Sequence, residues 1–208
     1  MPIFLIRHGE TLGNASRTVQ LPDNPLSLRG RAQAERLARR LERERLAAIL
    51  SSDFARAAQT AQHLSAVTGL PVQHEPLLQE RNFGDLRGTP YSELGFDMFA
   101  PDYAPPNGET WEVFHTRVDR AWAMIQARAG AAGGPLAVVT HGLVCRSLAG
   151  RHLVLPEGGA VPERWENTGV TTIQRLDTIP ATWHVQVLNC IAHLDDLAAQ
   201  AAADSGVA

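Results

Sequence analysis

A chain of 208 residues that is 44% apolar and 20% charged has the size of one ordinary domain and the composition of a folded one, which excludes disorder, collagen and coiled coil. Its net charge of -3 gives no electrostatic reason to expect nucleic acid or a membrane surface as a partner. All 19 basic residues are arginine, so chemistry that needs a lysine from this chain, such as a Schiff base or a phosphate-loop lysine, is excluded as well.

The elements follow in chain order. Residues 2–6 are a short apolar run and predict a buried strand ending at Arg7-His8-Gly9. The run has no basic region before it, and no apolar stretch reaches the roughly 18 residues of a membrane span. Residues 28–43 carry Ala34, Leu37, Ala38 and Leu41 on one face of a helix, with Ser27 as N-cap. Residues 47–50 predict a second strand ending at Ser51-Ser52-Asp53. A helix follows over 54–67, stopped by Gly69. Residues 72–74 form a short strand, 77–88 a charged loop, 91–99 a short helix and 101–108 a proline-rich loop. Residues 109–128 predict a long helix carrying Trp111, Phe114, Val118, Trp122 and Ile125. A third strand over 136–139 runs into Thr140-His141-Gly142, with a helix over 143–151. Residues 151–168 read as irregular, and 170–176 and 183–188 as neighbouring strands joined near Pro180. An alanine-rich helix is expected over 195–203. One domain over 1–203 and a frayed tail over 204–208 complete the organisation.

Short strands alternating with amphipathic helices define an α/β class with a mostly parallel sheet. Three of the strands end in polar groups: Arg7-His8, Ser51-Ser52-Asp53 leading to Arg56, and Thr140-His141. Parallel strands would bring these to one rim, where open α/β sheets bind ligands. Two histidines and two arginines meeting at helix N-termini make an anion pocket. Cys145 and Cys190 cannot form a disulfide framework, so a cytoplasmic location is expected. No metal-ligand spacing is present, and neither a metal nor another cofactor is expected.

Four ordered blocks carry a family resemblance. FLIRHGET at 4–11 with Asn14, SSDFARAAQTA at 51–61, LLQERNFGDLRG at 77–88 and VVTHG at 138–142 resemble the histidine phosphatase superfamily, and NTGVTTI at 167–173 resembles its late strand. The resemblance implies a three-layer, phosphoglycerate-mutase-like fold with helices on both sheet faces. It implies that His8 attacks phosphorus, that Arg7, Arg56 and His141 hold the non-bridging oxygens, and that Glu80 serves as acid and then base. Asn14, Arg81 and Gly142 would contact substrate. The expected partner is a small phosphorylated metabolite, with a homodimer left open.

Two departures favour a phosphatase over the rival 2,3-bisphosphoglycerate-dependent phosphoglycerate mutase. The chain lacks the lysine-bearing insertion of the mutase branch, and Phe83 stands where that branch has an aromatic hydroxyl. The Gln-Gly pair common in the family is also broken, since TVQLP at 18–22 has no glycine. A catalytically idle binding protein would be expected to lack a nucleophile or clamp residue, and none is missing. Arg81, Arg87, Arg146 and Arg151 lie near the blocks and could receive a second anionic group. Cys145 and the histidines at 63, 74, 115, 152, 184 and 193 read as structural or solvated.

Overall fold

The computed structural model describes residues 1–176 and 181–195. The turn near Pro180, the tail at 204–208 and all but the first residue of the expected terminal helix lie outside them.

Unbroken apolar runs suit strands covered on both faces. β1 (Ile3–Arg7), β2 (Ala48–Ser51), β3 (Val72–His74), β4 (Leu136–Thr140), β5 (Leu153–Val154), β6 (Val170–Leu176) and β7 (Thr182–Cys190) form one mixed sheet in the order β3-β2-β4-β1-β6-β7-β5. β3, β2, β4 and β1 pair in parallel, and so do β5 and β7; β6 alone runs against its neighbours. After β1 comes a single turn, α1 (Leu12–Ala15). α2 (Leu28–Glu42) and α3 (Ala55–Thr68) cover one face, and α4 (Trp111–Ala131) and α5 (Gly142–His152) the other. The pleat of β1 shows the division: Phe4 and Ile6 pack with Leu37, Leu41 and Leu64, whereas Ile3 and Leu5 pack with Phe114, Val118 and Leu148.

Adjacent β1 and β4 send their following helices to opposite faces, which opens a crevice beyond their carboxyl ends. Register fixes what stands there. Arg7 pairs with Thr140 and Ser51 with Val139, so His8, Ser52 and His141 all leave the sheet at one rim.

Several elements differ from expectation. Residues 91–99 hold only one 3₁₀ turn, Tyr91–Glu93; Gly95, at φ 66°, turns the chain out of it. The aromatics beyond pack on other loops instead, with Phe99 against Phe83 and Tyr91, and Phe96 against Tyr103. α4 begins at Trp111 because Thr110 is its cap, its hydroxyl accepting from the Val113 N–H at 3.2 Å. α1 was not foreseen; Thr11 and Asn14 hold it by reciprocal capping bonds.

The first turn of α2 presses backbone to backbone on the loop that follows His8. The Ser27 N–H donates to the Glu10 carbonyl at 2.9 Å, and the Glu10 N–H donates to Gln33 Oε1 at 2.9 Å. A Cβ on Gly30 would stand 2.0 Å from the Glu10 carbonyl oxygen. Alanine is the better helix former by about 1 kcal/mol, yet overpacking against backbone costs about 1–3 kcal/mol. Gly30→Ala is therefore expected to lower the urea midpoint; an unchanged or raised midpoint would contradict this close approach.

Candidate active site

The crevice is a cavity of about 370 Å³ lined by Arg7, His8, Asn14, Arg56, Glu80 and Gly142, among others. His8 is 2% exposed. Its Nδ1 lies 2.7 Å from the Gly9 carbonyl oxygen, which can only accept, so Nδ1 carries the proton and Nε2 keeps a lone pair. Arg56 Nε donates to that Nε2 at 3.2 Å. Burial, with Arg56 and Arg7 alongside, holds the imidazole well below its usual range, so His8 is neutral at physiological pH. The main chain on either side is also fixed. The His8 N–H donates to the Thr140 carbonyl at 2.9 Å, and Asn167 Nδ2 donates to the His8 carbonyl at 3.0 Å.

The two arginines beside His8 arrive from different elements. Arg7 ends β1 and donates through Nη1 to the Trp165 carbonyl, while its Nε has no partner among the described residues. Arg56 lies in the first turn of α3 and donates through Nη1 to the Leu21 carbonyl at 2.9 Å. Burial brings Arg56 down to about 10, although nearby Glu80 opposes the shift, and it keeps its charge at neutral pH.

His141 is fully buried behind His8, with ring centroids 5.1 Å apart, and does not itself line the open cavity. Ser52 Oγ lies 2.9 Å from its Nε2, and its Nδ1 has no partner among the described residues. Gly142, which opens α5, lines the cavity with Leu143.

Glu80 accepts from the backbone N–H groups of Arg81 at 3.0 Å and Leu143 at 3.3 Å. Burial raises its pKa despite those bonds and the charges of Arg56 and Arg7. An ion pair that sequence reasoning missed holds its loop. Arg117 pairs with Glu109 at 2.8 Å and donates to the carbonyls of Leu77, Gln79 and Glu80. Asn14 Oδ1 accepts from the Thr11 N–H and from Asn167, which leaves its NH₂ as the group it can offer the cavity.

Two expected arginines are used elsewhere. Arg81 touches the cavity, but its guanidinium donates to the carbonyls of Glu109, Met98 and Tyr103 and stacks 3.9 Å over Trp111. It pins the loop before α4, and these bonds occupy its guanidinium. Arg151 pairs with exposed Asp119 at 2.6 Å, away from the cavity lining. Arg17, Gln20, Tyr91, Arg164 and Trp165 line the cavity without having been singled out. Gln20 and Asn167 sit in quoted motifs, whereas Arg17, Tyr91 and Arg164 come from loops whose path no local pattern signals.

The geometry is that of an α/β crevice in which two arginines flank a buried neutral histidine. Residues 3–191 match the histidine phosphatase superfamily (branch 1), and the chain belongs to it. A relative from Arabidopsis thaliana, phosphoglycerate mutase-like protein 4, is 34% identical over 93% of this chain and 87% of its own. Among solved structures, Bacillus stearothermophilus YhfR is 31% identical with a TM-score of 0.79, covering 93% of this chain and 99% of its own. A mycobacterial glucosyl-3-phosphoglycerate phosphatase complexed with VO₃ is 26% identical with a TM-score of 0.77, covering 91% and 99%.

Removing the Arg81 side chain should act mainly on stability. Hydrogen bonds from a charged donor are worth about 1.5–3 kcal/mol each, so Arg81→Ala should cost at least about 2 kcal/mol in chemical denaturation. A fully stable variant with a raised KM would restore Arg81 to substrate binding.

Proposed function

We propose that this chain is a phosphomonoesterase that hydrolyses a small phosphorylated metabolite through a phosphohistidine, without using a metal ion. The observation that carries the reading is the fixed tautomer of His8: Nδ1–H is committed to Gly9, so Nε2 is the nucleophile. In the first step Nε2 bonds to phosphorus and the ester P–O bond breaks. Arg7, Arg56 and His141 hold the non-bridging oxygens, and Glu80 protonates the leaving oxygen. In the second step the Glu80 carboxylate takes a proton from water, which attacks phosphorus. The P–N bond breaks, phosphate leaves and Glu80 is protonated again.

The unpartnered Arg7 Nε and His141 Nδ1 support the reading, because buried polar atoms are seldom left without partners and phosphate oxygens would supply them. The mycobacterial neighbour named as a phosphatase supports hydrolysis. The plant relative's name points to the mutase alternative, which differs in passing the phosphoryl group to a second substrate in place of water.

Glu80 provides the test. A sugar alkoxide needs its proton in the transition state and p-nitrophenolate hardly does. Glu80→Gln should therefore cost a sugar phosphate more than p-nitrophenyl phosphate, out of a general-acid contribution of about 10²–10⁴-fold. The sign of the pH dependence follows from the raised Glu80 pKa: sugar phosphate turnover needs the protonated acid, so it should be present below that pKa and fall as pH rises through it. His8, held low, adds no limb near its ordinary value. Glu80→Gln should abolish the alkaline limb. Equal losses on both substrates, with the limb retained, would remove Glu80 from this role.

A further inference from the structure

We propose that the cleft contains a second anion subsite, built by Arg17, Arg87, Arg146 and Arg164, and that the substrate is a phosphomonoester carrying a second negatively charged group. The inference rests on the phosphatase reading and narrows its substrate class.

Arg7 and Arg56 match the charge of one phosphate dianion. Four further arginines line the same cavity, against two carboxyl groups, Glu163 and Glu80, the latter with its pKa raised by burial. They come from four separate segments: Arg17 just beyond α1, Arg87 after the 3₁₀ turn Gly84–Leu86, Arg146 in α5 and Arg164 before β6. Among the described residues none of the four guanidinium groups makes a hydrogen bond or ion pair; Arg17 only lies 5.9 Å over the Tyr91 ring. Arginines nearby that do structural work look different. Arg81 is tied to three carbonyls, Arg117 to Glu109 and three carbonyls, and Arg151 to Asp119.

A chain of net charge -3 thus gathers positive charge at one cleft and leaves it unpaired. Like charges sharing a concave site repel each other, and an anion offsets that cost. The cavity, about 370 Å³, falls within the range of small-molecule sites and has room beyond a single phosphate. Carboxylate and phosphate both fit the guanidinium fork, so either source satisfies this chemistry.

The test compares matched pairs. Calorimetric titration of the His8→Ala protein, which binds without turnover, would use 3-phosphoglycerate against glycerol 3-phosphate and fructose 1,6-bisphosphate against fructose 6-phosphate. A charge-assisted bond implies a preference of about tenfold or more for the member with the second anion. The pair showing it identifies carboxylate or phosphate as the source. Arg87→Gln and Arg146→Gln should each shrink the ratio. The ratio of kcat/KM in the wild type gives a second reading free of the His8 substitution. Equal affinity within both pairs would overturn the subsite. Hydrolysis of p-nitrophenyl phosphate by the wild type reads the phosphatase proposal separately, so the two can fail independently.

Discussion

A histidine attacks phosphorus only if one ring nitrogen is both unprotonated and pointed at the substrate. The 2.7 Å bond from His8 Nδ1 to the Gly9 carbonyl meets the first condition and fixes the direction of Nε2, and the proposed mechanism depends on it. It fixes the tautomer and the ring plane, and it involves a neighbouring residue, so it forms whenever the loop takes its native path. Burial between Arg7 and Arg56 then keeps the imidazole neutral. Those charges also make the centre a poor place for a cation and a good one for a dianion.

The scaffold explains why such a loop can be held still. His8 leaves the sheet from its middle, with its N–H on the Thr140 carbonyl, its carbonyl on Asn167 and the next turns clamped by α2. Gly9 and Gly30 let two backbones approach more closely than any side chain would allow. Glu80 faces the same crevice from the other side of the sheet's rim, on a loop held by Arg117 and Glu109. His8 and Glu80 are thus carried by independent supports, and each keeps its own environment: burial lowers the pKa of the imidazole and raises that of the carboxyl.

How much of this could be read from the chain depends on whether the signal was local. The strands were legible because 2–6 and 136–139 are unbroken apolar runs, and the polar residues that follow them marked the rim. Ser27 and Gly69 were legible because capping is a property of one residue and its next few neighbours. The family motifs brought His8, Arg7, Arg56, His141 and Glu80 to the foreground, and the fold gathers all but His141 in the lining of one crevice, with His141 packed against His8. Residues 91–99 were misread because the local sequence cannot reveal that Phe99 and Phe96 pack on Phe83 and Tyr103 of other loops. The loop-pinning task of Arg81 was not legible for a related reason: the carbonyls of Met98, Tyr103 and Glu109 that it bonds lie far along the chain. Arg17 and Arg164 reach the cleft through long-range folding alone.

Cys145, close to His141 in sequence, illustrates what burial decides. It lies on the buried face of α5, completely enclosed in the core, and burial pushes its thiol well up, which disfavours it as a nucleophile. The most direct measurement of the account is a rapid acid-free quench of the wild type during turnover of labelled phosphomonoester, followed by mapping of the bound phosphate. The account predicts an acid-labile, base-stable phosphate on Nε2 of His8, formed and lost at rates compatible with turnover. Label on Cys145 or a serine, or full product release in a single turnover with no phosphoenzyme at any time, would contradict it.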